Sequence, residues 1–205
     1  MKKAISIAIM CIVLVTGLSA RANSSIYIGA GYGLGPVIGT TNAFTHGISV
    51  SFGGEISVDE YADTIMIIEA SGFFPIGAGF YTHGNMATSA YAPSAIVDAL
   101  IGAGGRFQIG NSFVTFMIGG GLYLDTLFGQ NTGLSGTVID FGIGVGLTAD
   151  MRYEISDLIG LSIGIRPAVT FVDIRYSKTA TSQTLSVASM IGFSLTGRAV
   201  IAFKL

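Results

Sequence analysis

Eight charged side chains, spread along a chain in which half of the residues are hydrophobic, are the residues best placed to do chemistry. Each stands among small or apolar neighbours, outside any run of charge. Four carboxylates and four guanidinium groups can pair with one another as salt bridges, or they can line a narrow polar passage. The eight residues are Glu55, Glu69, Asp98, Arg106, Asp140, Arg152, Arg166 and Arg198.

The sequence lacks the patterns of known catalytic and metal sites. A hydrolytic site needs a His with a Ser and a carboxylate within hydrogen-bonding reach. Ser49 follows His46 by three positions, and in a strand this odd spacing points the two side chains to opposite faces. His83 falls in a predicted loop, where a solvated histidine needs no special role. We therefore expect no enzymatic activity, no cofactor and no metal site.

The segment Thr137–Tyr153 (TVIDFGIGVGLTADMRY) indicates which kind of element positions these charges. Every second residue from Ile139 to Met151 is apolar, and the residues between them are small, polar or charged. In a strand this pattern gives one apolar face, whereas at helical spacing it gives no coherent apolar stripe. A tilted strand crosses a bilayer in roughly 9–11 residues, so this segment is long enough to do so.

The composition and the N-terminal segment indicate an exported membrane protein. Residues 1–22 combine two lysines, an apolar core and an Ala-Arg-Ala site, which is typical of a secretory signal peptide cut after Ala22. Residues 23–205 then form one domain without a cysteine, since Cys11 is removed. Charged residues make up 11% of the chain, against about 25% in soluble domains. The seven basic and twelve acidic residues left after cleavage argue against a nucleic-acid partner.

The fold class that we predict is all-β: an eight-stranded antiparallel up-and-down transmembrane β-barrel. Strands are expected at 25–33, 46–59, 64–72, 94–109, 112–124, 137–153, 158–175 and 184–205. Long connections at 34–45, 73–93, 125–136 and 176–183 alternate with short turns at 59–63, 110–111 and 154–157. Two charge-free windows, 107–124 and 179–197, are long enough for helices. The first contains turn signals and the second keeps a period of two, so the barrel is favoured.

The C-terminal segment GRAVIAFKL alternates Ile201, Phe203 and Leu205. It resembles the assembly signal of small eight-stranded outer-membrane barrels. Nearly the whole mature chain is similar in architecture to the OmpW/OprG-like, OmpX and OmpA-transmembrane-domain families. The resemblance implies a bacterial outer-membrane location, contact with outer-membrane lipid, recognition of the last strand by the barrel-assembly machinery, and a monomer. These families usually end in an aromatic residue, and this chain ends in Leu205.

The interior of an eight-stranded barrel is just wide enough for side chains or one small ligand. The eight charges therefore either fill the lumen as ion pairs or line a narrow passage, and their spacing does not choose between these. Inward-facing glycines either help the strands to curve or leave a cavity. Pro167, in the middle of a predicted strand, lacks an N–H and removes one ladder bond. It marks either a bulge or a weak seam through which an apolar solute could leave sideways, as the OmpW-like resemblance implies.

Two functions follow as hypotheses. The first is a narrow channel or conduit for small, apolar solutes. The alternative is a structural or adhesive surface barrel whose loops bind host or matrix molecules. The predicted loop 73–93 is its main contact segment, because its aromatic residues suit either contact or interfacial anchoring. These aromatic residues are Phe73, Phe74, Phe80, Tyr81 and Tyr91.

Overall fold

The computed structural model describes residues 24–35, 42–58, 64–82, 85–87, 91–109, 114–131, 136–179 and 182–205. The predicted signal peptide (1–22) lies outside these residues, and so do His83 and the predicted turn at 110–111. Every regular element in the described stretches is a β-strand. Among the described residues, no helix is long and apolar enough to cross a membrane.

Eight long antiparallel strands close into one barrel, as predicted, and a ninth short strand extends one of them. Each long strand pairs with the next long strand along the chain, and the last pairs with the first. The short strand β4 pairs only with the end of β3. The strands are β1 Ser25–Gly35, β2 Asn42–Ser57, β3 Thr64–Thr82, β4 Asn85–Ala87, β5 Tyr91–Gln108, β6 Val114–Asn131, β7 Gly136–Glu154, β8 Ile159–Lys178 and β9 Gln183–Lys204.

Side chains alternate between the lumen and the outer surface along the strands, because successive residues of a strand point to opposite faces. In β7 the predicted apolar row lies outside, with Val145 and Leu147 exposed, while Asp140, Asp150 and Arg152 are buried inside. The sequence does not show which residues of β6 face the lumen, and in the structure they alternate with outward residues in the same way. Its inward residues are Thr115, Met117, Gly119, Gly121, Tyr123, Asp125 and Leu127.

The two ends of the barrel differ. The backbone N–H of Leu205 donates to the carbonyl of Ser24 at 3.0 Å, and that of Lys204 donates to the carbonyl of Leu158 at 2.9 Å. Both described chain ends and the turn at 155–158 therefore lie on one rim, which we call the terminus rim. The opposite end, where β8 meets β9 at 179–182, is the distal rim.

The predicted long loop at 73–93 is wrong. The strand β3 continues from Gly72 to Thr82, and β5 begins at Tyr91, so most of this segment is sheet. The two prolines that favoured a loop are accommodated at irregularities: the register shifts beside Pro75, between His46 and Gly47, and at Pro93. A bulge is the place within a sheet where a residue without an N–H is tolerated.

The other predicted connections are also shorter than expected, since strands at the distal rim extend into them. β2 begins at Asn42, β6 runs to Asn131, β8 runs to Lys178 and β9 begins at Gln183. The sequence hides these extensions because glycine, serine and threonine are read as loop residues, whereas pairing with a neighbouring strand overrides that local preference.

Aromatic residues on the outer surface mark two bands separated by aliphatic side chains. Near the terminus rim they include Phe107, Tyr153 and Phe203, and near the distal rim Tyr32, Phe74, Phe128, Phe141, Phe171 and Phe193. On β9 the bands are ten residues apart, from Phe193 to Phe203. A strand rises about 3.3 Å per residue and tilts by roughly 40° in such barrels, so this separation matches an apolar belt of about 25 Å. The outer surface is built to face hydrocarbon.

Candidate functional site

All eight charged residues singled out in the sequence face the lumen. Seven of them are buried, and the side chain of Arg106 is 14% exposed. They belong to β2, β3, β5, β7, β8 and β9, so residues far apart in sequence meet across the barrel axis. Seven of the side chains form two clusters, one centred on Glu55 and the other on Glu69, and Asp140 lies apart from both.

The first cluster lies toward the terminus rim. Arg152 grips Glu55 with both guanidinium nitrogens: Nη2 donates to Oε1 at 2.7 Å and Nη1 donates to Oε2 at 3.0 Å. Arg106 Nη2 adds a bond of 3.0 Å to Oε2, and Ser25 Oγ donates to the same oxygen at 3.1 Å. Arg152 Nε in turn donates to Ser162 Oγ at 3.1 Å. One carboxylate thus accepts bonds from strands β1, β5 and β7.

The second cluster crosses the middle of the barrel. Glu69 accepts bonds from Arg166 Nη1 at 2.5 Å on Oε1 and from Tyr27 OH at 2.6 Å on Oε2. Arg198 Nη1 also donates to Oε2. Glu69 is 1% exposed. A carboxylate so deeply buried is tolerated because charged donors replace the lost water.

Each arginine that binds Glu69 also binds a second carboxylate. Arg198 donates to both oxygens of Asp150, at 3.0 and 2.6 Å, and Arg166 Nη2 lies 2.7 Å from Asp98 Oδ1. Hydroxyl groups complete the network: Thr148 accepts from Arg198 at 2.7 Å, and Ser71 accepts from Arg166 and donates to Asp98, both at 2.6 Å. The chain of pairs runs from Asp98 through Arg166, Glu69 and Arg198 to Asp150, across the lumen.

Aromatic rings support the same arginines from the side. The guanidinium carbon of Arg166 lies 5.9 Å from the ring centre of Tyr123, and that of Arg198 lies 5.7 Å from the ring centre of Tyr27. Cations at this distance from a ring face are attracted by its electron density. Both tyrosines are inward-facing and almost fully buried.

Smaller ion pairs lie at the two rims. At the distal rim, Arg175 binds both oxygens of the buried Asp140, at 2.6 and 2.7 Å, while its own side chain is 42% exposed. At the terminus rim, Lys204 Nζ lies 3.2 Å from Glu154 Oε2. Three charged residues that the sequence analysis does not single out lie beside the eight that it does: Asp150, Arg175 and Asp125. Asp125 is buried in the lumen opposite Asp98 on the neighbouring strand.

Apolar side chains pack in the lumen beside the charged clusters. Phe73, Ile96 and Leu127 pack together on one side, and Ile65, Ile67 and Met117 on another. Tyr27, Glu55, Asp150, Arg152 and Arg198 border a small space that both clusters share, and all five side chains are buried. At this level Arg166 of β8 and Arg198 of β9 reach across the lumen and bind the same carboxylate, Glu69 of β3.

Sequence reasoning misses several residues of the network for identifiable reasons. Asp125 falls in a predicted loop, because the sequence does not reveal the extension of β6. Arg175 falls at the end of a predicted strand, where nothing points it to the lumen. Asp150 lies on the polar face of the segment 137–153, so its parity is a usable signal. Tyr27 and Tyr123 carry no charge and give no signal of a lumen role.

Pro167 lies where the pairing between β7 and β8 is interrupted without a change of register. Between β7 and β8 the Cα pairing passes from Gly146–Ala168 to Ala149–Ile165, and skips Leu147, Thr148, Arg166 and Pro167. Between β8 and β9 the pairing continues through Pro167, opposite Leu195. The interruption of the pairing is thus confined to one side of β8.

The five loop aromatics do not form a shared surface. Phe73 points into the lumen and is 4% exposed, whereas Phe74 points out into the distal aromatic band. Phe80 and Tyr81 belong to β3, and Tyr91 begins β5. The side chains of these last three lie outside the described part of the structure. A contact loop built around Phe73 is therefore wrong.

The most exposed apolar side chains are instead on a hairpin that extends past the distal aromatic band. We call this the distal hairpin; it comprises residues 172–179 of β8 and its turn, and residues 182–194, most of them in β9. Leu185, Val187 and Ile191 are 71%, 69% and 81% exposed. The hairpin turn is closed by Thr179 N–H donating to the Ser182 carbonyl at 2.9 Å.

Histidine and metal chemistry receive no support in the described residues. His46 lies on the outer surface, where its Nδ1 is 2.6 Å from Tyr32 OH, while Ser49 faces the lumen. No group of three or more His, Cys, Asp or Glu side chains that could hold a metal ion occurs in the described stretches.

Comparison with known proteins identifies the fold. No family model matches the sequence, and no curated protein does. Among solved structures, the barrel is similar to Neisserial surface protein A, with 15% identity, 89% of this chain and 96% of that chain covered, and a TM-score of 0.60. It is equally similar to a major outer membrane protein of Thermus thermophilus, with 13% identity, 90% and 99% coverage and a TM-score of 0.60. The chain has the fold of the small outer-membrane β-barrels.

Proposed function

We propose that the protein is a bacterial outer-membrane barrel whose lumen is a closed, charged core and which acts through its distal end. The observation that carries this proposal is the chain of ion pairs from Asp98 to Asp150, which crosses the barrel axis together with packed apolar side chains. The polar groups at this level bond to one another, so a polar solute would have to displace them to pass.

Opening an axial passage would require separating buried ion pairs. Removing one partner of such a pair costs about 3–5 kcal/mol, because the other charge stays buried without compensation. Glu69 holds two arginines at once, so a conformational opening at this level would break several such contacts together. This cost favours the interpretation of the eight lumen charges as a stabilising core rather than as the lining of a channel.

The signal peptide, the apolar belt and the assembly-type C-terminal strand support an outer-membrane location, with the terminus rim facing the periplasm and the distal rim facing outward. The partners are then outer-membrane lipid along the belt and the assembly machinery at β9 during insertion. No cofactor, metal or catalytic residue enters this proposal, and the barrel acts as a monomer within its own membrane.

The distal hairpin supports a surface role. Leu185, Val187 and Ile191 lie past Phe193, the last aromatic residue of the distal band on β9, and are the most exposed apolar side chains among the described residues. Exposed apolar groups concentrated on one projecting element are typical of interaction sites. These exposed groups favour the second hypothesis of the sequence analysis, a structural or adhesive barrel. The contact segment that we propose is 182–194 in place of 73–93.

Solute flux into liposomes tests the closed lumen. Liposomes carrying the refolded protein are compared with protein-free liposomes for one small polar and one small apolar solute. We expect no added flux for either. The matched control is Glu69→Ala combined with Arg198→Ala, which removes both partners at the axis and is expected to admit the polar solute. Flux of the polar solute through the wild-type barrel would contradict the closed lumen.

A second candidate function is a side exit for small apolar solutes, favoured by the interrupted β7–β8 pairing beside Pro167. A solute that enters from the distal rim and meets the closed axis could leave between these strands into lipid. A disulfide joining Leu147→Cys and Pro167→Cys would seal the seam. The side exit predicts flux of the apolar solute that falls on oxidation and returns on reduction. Flux that is absent, or present and insensitive to the disulfide, rules it out.

A further inference from the structure

We propose that the open edge of β9 in the distal hairpin pairs with the same edge of a second copy of this protein on a facing membrane. This inference rests on the proposed function and names its partner. The edge consists of residues 183–194, where β9 pairs with β8 on one side and with no described strand on the other.

The edge is unusually long for an unpaired strand. β1 last pairs with β9 at Leu34–Leu195 and ends at Gly35, so β9 continues for twelve residues above that point with β8 as its one neighbour among the described strands. Along an edge strand, alternate backbone N–H and C=O groups point away from the sheet and can bind another strand. Pairing with such an edge is a common mode of protein recognition.

The edge lacks charges and prolines, two of the features by which proteins normally prevent edge-to-edge pairing, while its register with β8 shifts at Met190 and Ile191. Charged side chains, prolines and bulges usually serve this purpose. No charged residue and no proline occurs between Lys178 and Arg198. The charged residues of the barrel are placed in the lumen and at the rims, so their absence from this one exposed edge leaves it open to association.

The absence of charge favours a second copy as the partner. In a symmetric pair each edge residue faces an equivalent stretch of the same sequence, so any charge would approach its own copy and repel it. An antiparallel pair centred on residue 188 places Leu185 of one copy opposite Ile191 of the other, on one face of the joint sheet. Both side chains are among the most exposed apolar groups of the barrel, and pairing would bury them.

The direction of β9 decides where the second copy lies. β9 runs from the distal rim toward the terminus rim in every copy. Two barrels in one membrane therefore have β9 strands running the same way, whereas barrels in facing membranes have β9 strands running in opposite directions. Antiparallel pairs are somewhat more stable per residue and form without crossover connections. The geometry points to contact between two membranes.

Single-barrel nanodiscs test this pairing, because each disc of phosphatidylcholine holds one copy of the refolded protein. Sedimentation velocity should show wild-type discs shifting toward twice the mass as concentration rises. Ser186→Lys places a charge on the edge and should leave the discs single. Thr137→Lys adds the same charge on β7, away from the edge, and should pair like the wild type. Folding of each variant is checked by β-type circular dichroism and heat-dependent gel mobility.

A cysteine pair tests the register and the facing arrangement. The double variant Leu185→Cys/Ile191→Cys should form disulfides between two separately tagged populations of single-barrel discs. Disulfides that form only between two barrels placed in one disc would overturn the facing arrangement. Wild-type discs that stay single, or Ser186→Lys discs that pair like the wild type, would overturn the self-pairing itself. Neither of these results touches the closed lumen, which the flux measurement tests separately.

Discussion

At the scale of single residues, the ion pairs of the lumen depend on the planar guanidinium group of arginine. Arg152 on Glu55, Arg198 on Asp150 and Arg175 on Asp140 each place two guanidinium nitrogens on two carboxylate oxygens. Lysine carries the same charge but cannot form this paired geometry. In a space just wide enough for side chains, directed bonds let each group bind several partners.

Replacing Glu69 with glutamine should destabilise the barrel strongly. The amide keeps the size of the side chain but leaves Arg166 and Arg198 without their shared negative charge in a buried site. We expect a loss of about 3–5 kcal/mol in the free energy of unfolding, measured by urea titration in lipid vesicles. Glu154→Gln is the matched control, because its pair with Lys204 is at the rim, and it should cost less than about 1 kcal/mol. Equal losses in the two variants would contradict a central role for Glu69.

The sequence identifies which charges face inward, but it does not identify their partners. Parity along each strand suffices for Glu55, Asp98 or Arg198, because an apolar outer row leaves the alternate positions for the lumen. Pairing also depends on the stagger of the strands around the ring and on arginine reach. Arg152 meets Glu55 from a strand 97 residues away in the chain, and no local signal encodes that distance.

At the scale of strands, glycines allow close approach where the ladder shifts. The register between β7 and β8 shifts at Ile143–Gly144, and a Cβ added to Gly144 would collide with the backbone of Val169 and Thr170. At Gly72 on β3, a Cβ would meet only the ring of Phe74, at 3.6 Å. The two glycines look alike in sequence but differ in what surrounds them.

Gly144→Ala should therefore destabilise the barrel, whereas Gly72→Ala should not. We expect a loss of about 1–3 kcal/mol for Gly144→Ala, since backbone cannot move aside as a side chain can. Gly72→Ala should change the free energy of unfolding by less than about 0.5 kcal/mol. Urea titration of both variants in the same vesicles measures the difference. A neutral Gly144→Ala would mean that the strand irregularity is flexible enough to absorb a methyl group.

Pro167→Val should restore continuous pairing between β7 and β8. Valine supplies the missing N–H and suits a strand, so the pairing can continue through Leu147 and Thr148. Hydrogen exchange should become slower for the backbone N–H groups of these two residues, with no change at β5 and β6. If exchange at Leu147 and Thr148 is already slow in the wild type, the seam is closed without help from the substitution.

At the scale of the whole molecule, sequence periodicity is enough to predict the barrel but not the shape of its distal end. Strand number, direction and closure follow from eight alternating segments and the need to pair every strand in lipid. The heights of the strands do not follow, because glycine-rich and serine-rich segments such as 176–183 form strand or loop according to their neighbours. Because the strand heights differ from the prediction, the proposed contact segment is the hairpin at 182–194 and not the predicted loop at 73–93.

Closure of the barrel also predicts the role of Leu205. β9 must join β1 to complete the ring, and Leu205 binds Ser24 through its backbone while its side chain stays 48% exposed at the terminus rim. Leu205→Phe should leave the free energy of unfolding of the refolded barrel within about 0.5 kcal/mol of the wild type. In a host whose own barrels end in phenylalanine, the same change should raise the assembled yield several-fold, measured by heat-dependent gel mobility of membrane fractions. Leu158→Phe is the matched control, an exposed leucine on the same rim but within a turn. If it raises the yield equally, interfacial anchoring by any aromatic residue explains the gain, and the C-terminal strand is not read as an assembly signal.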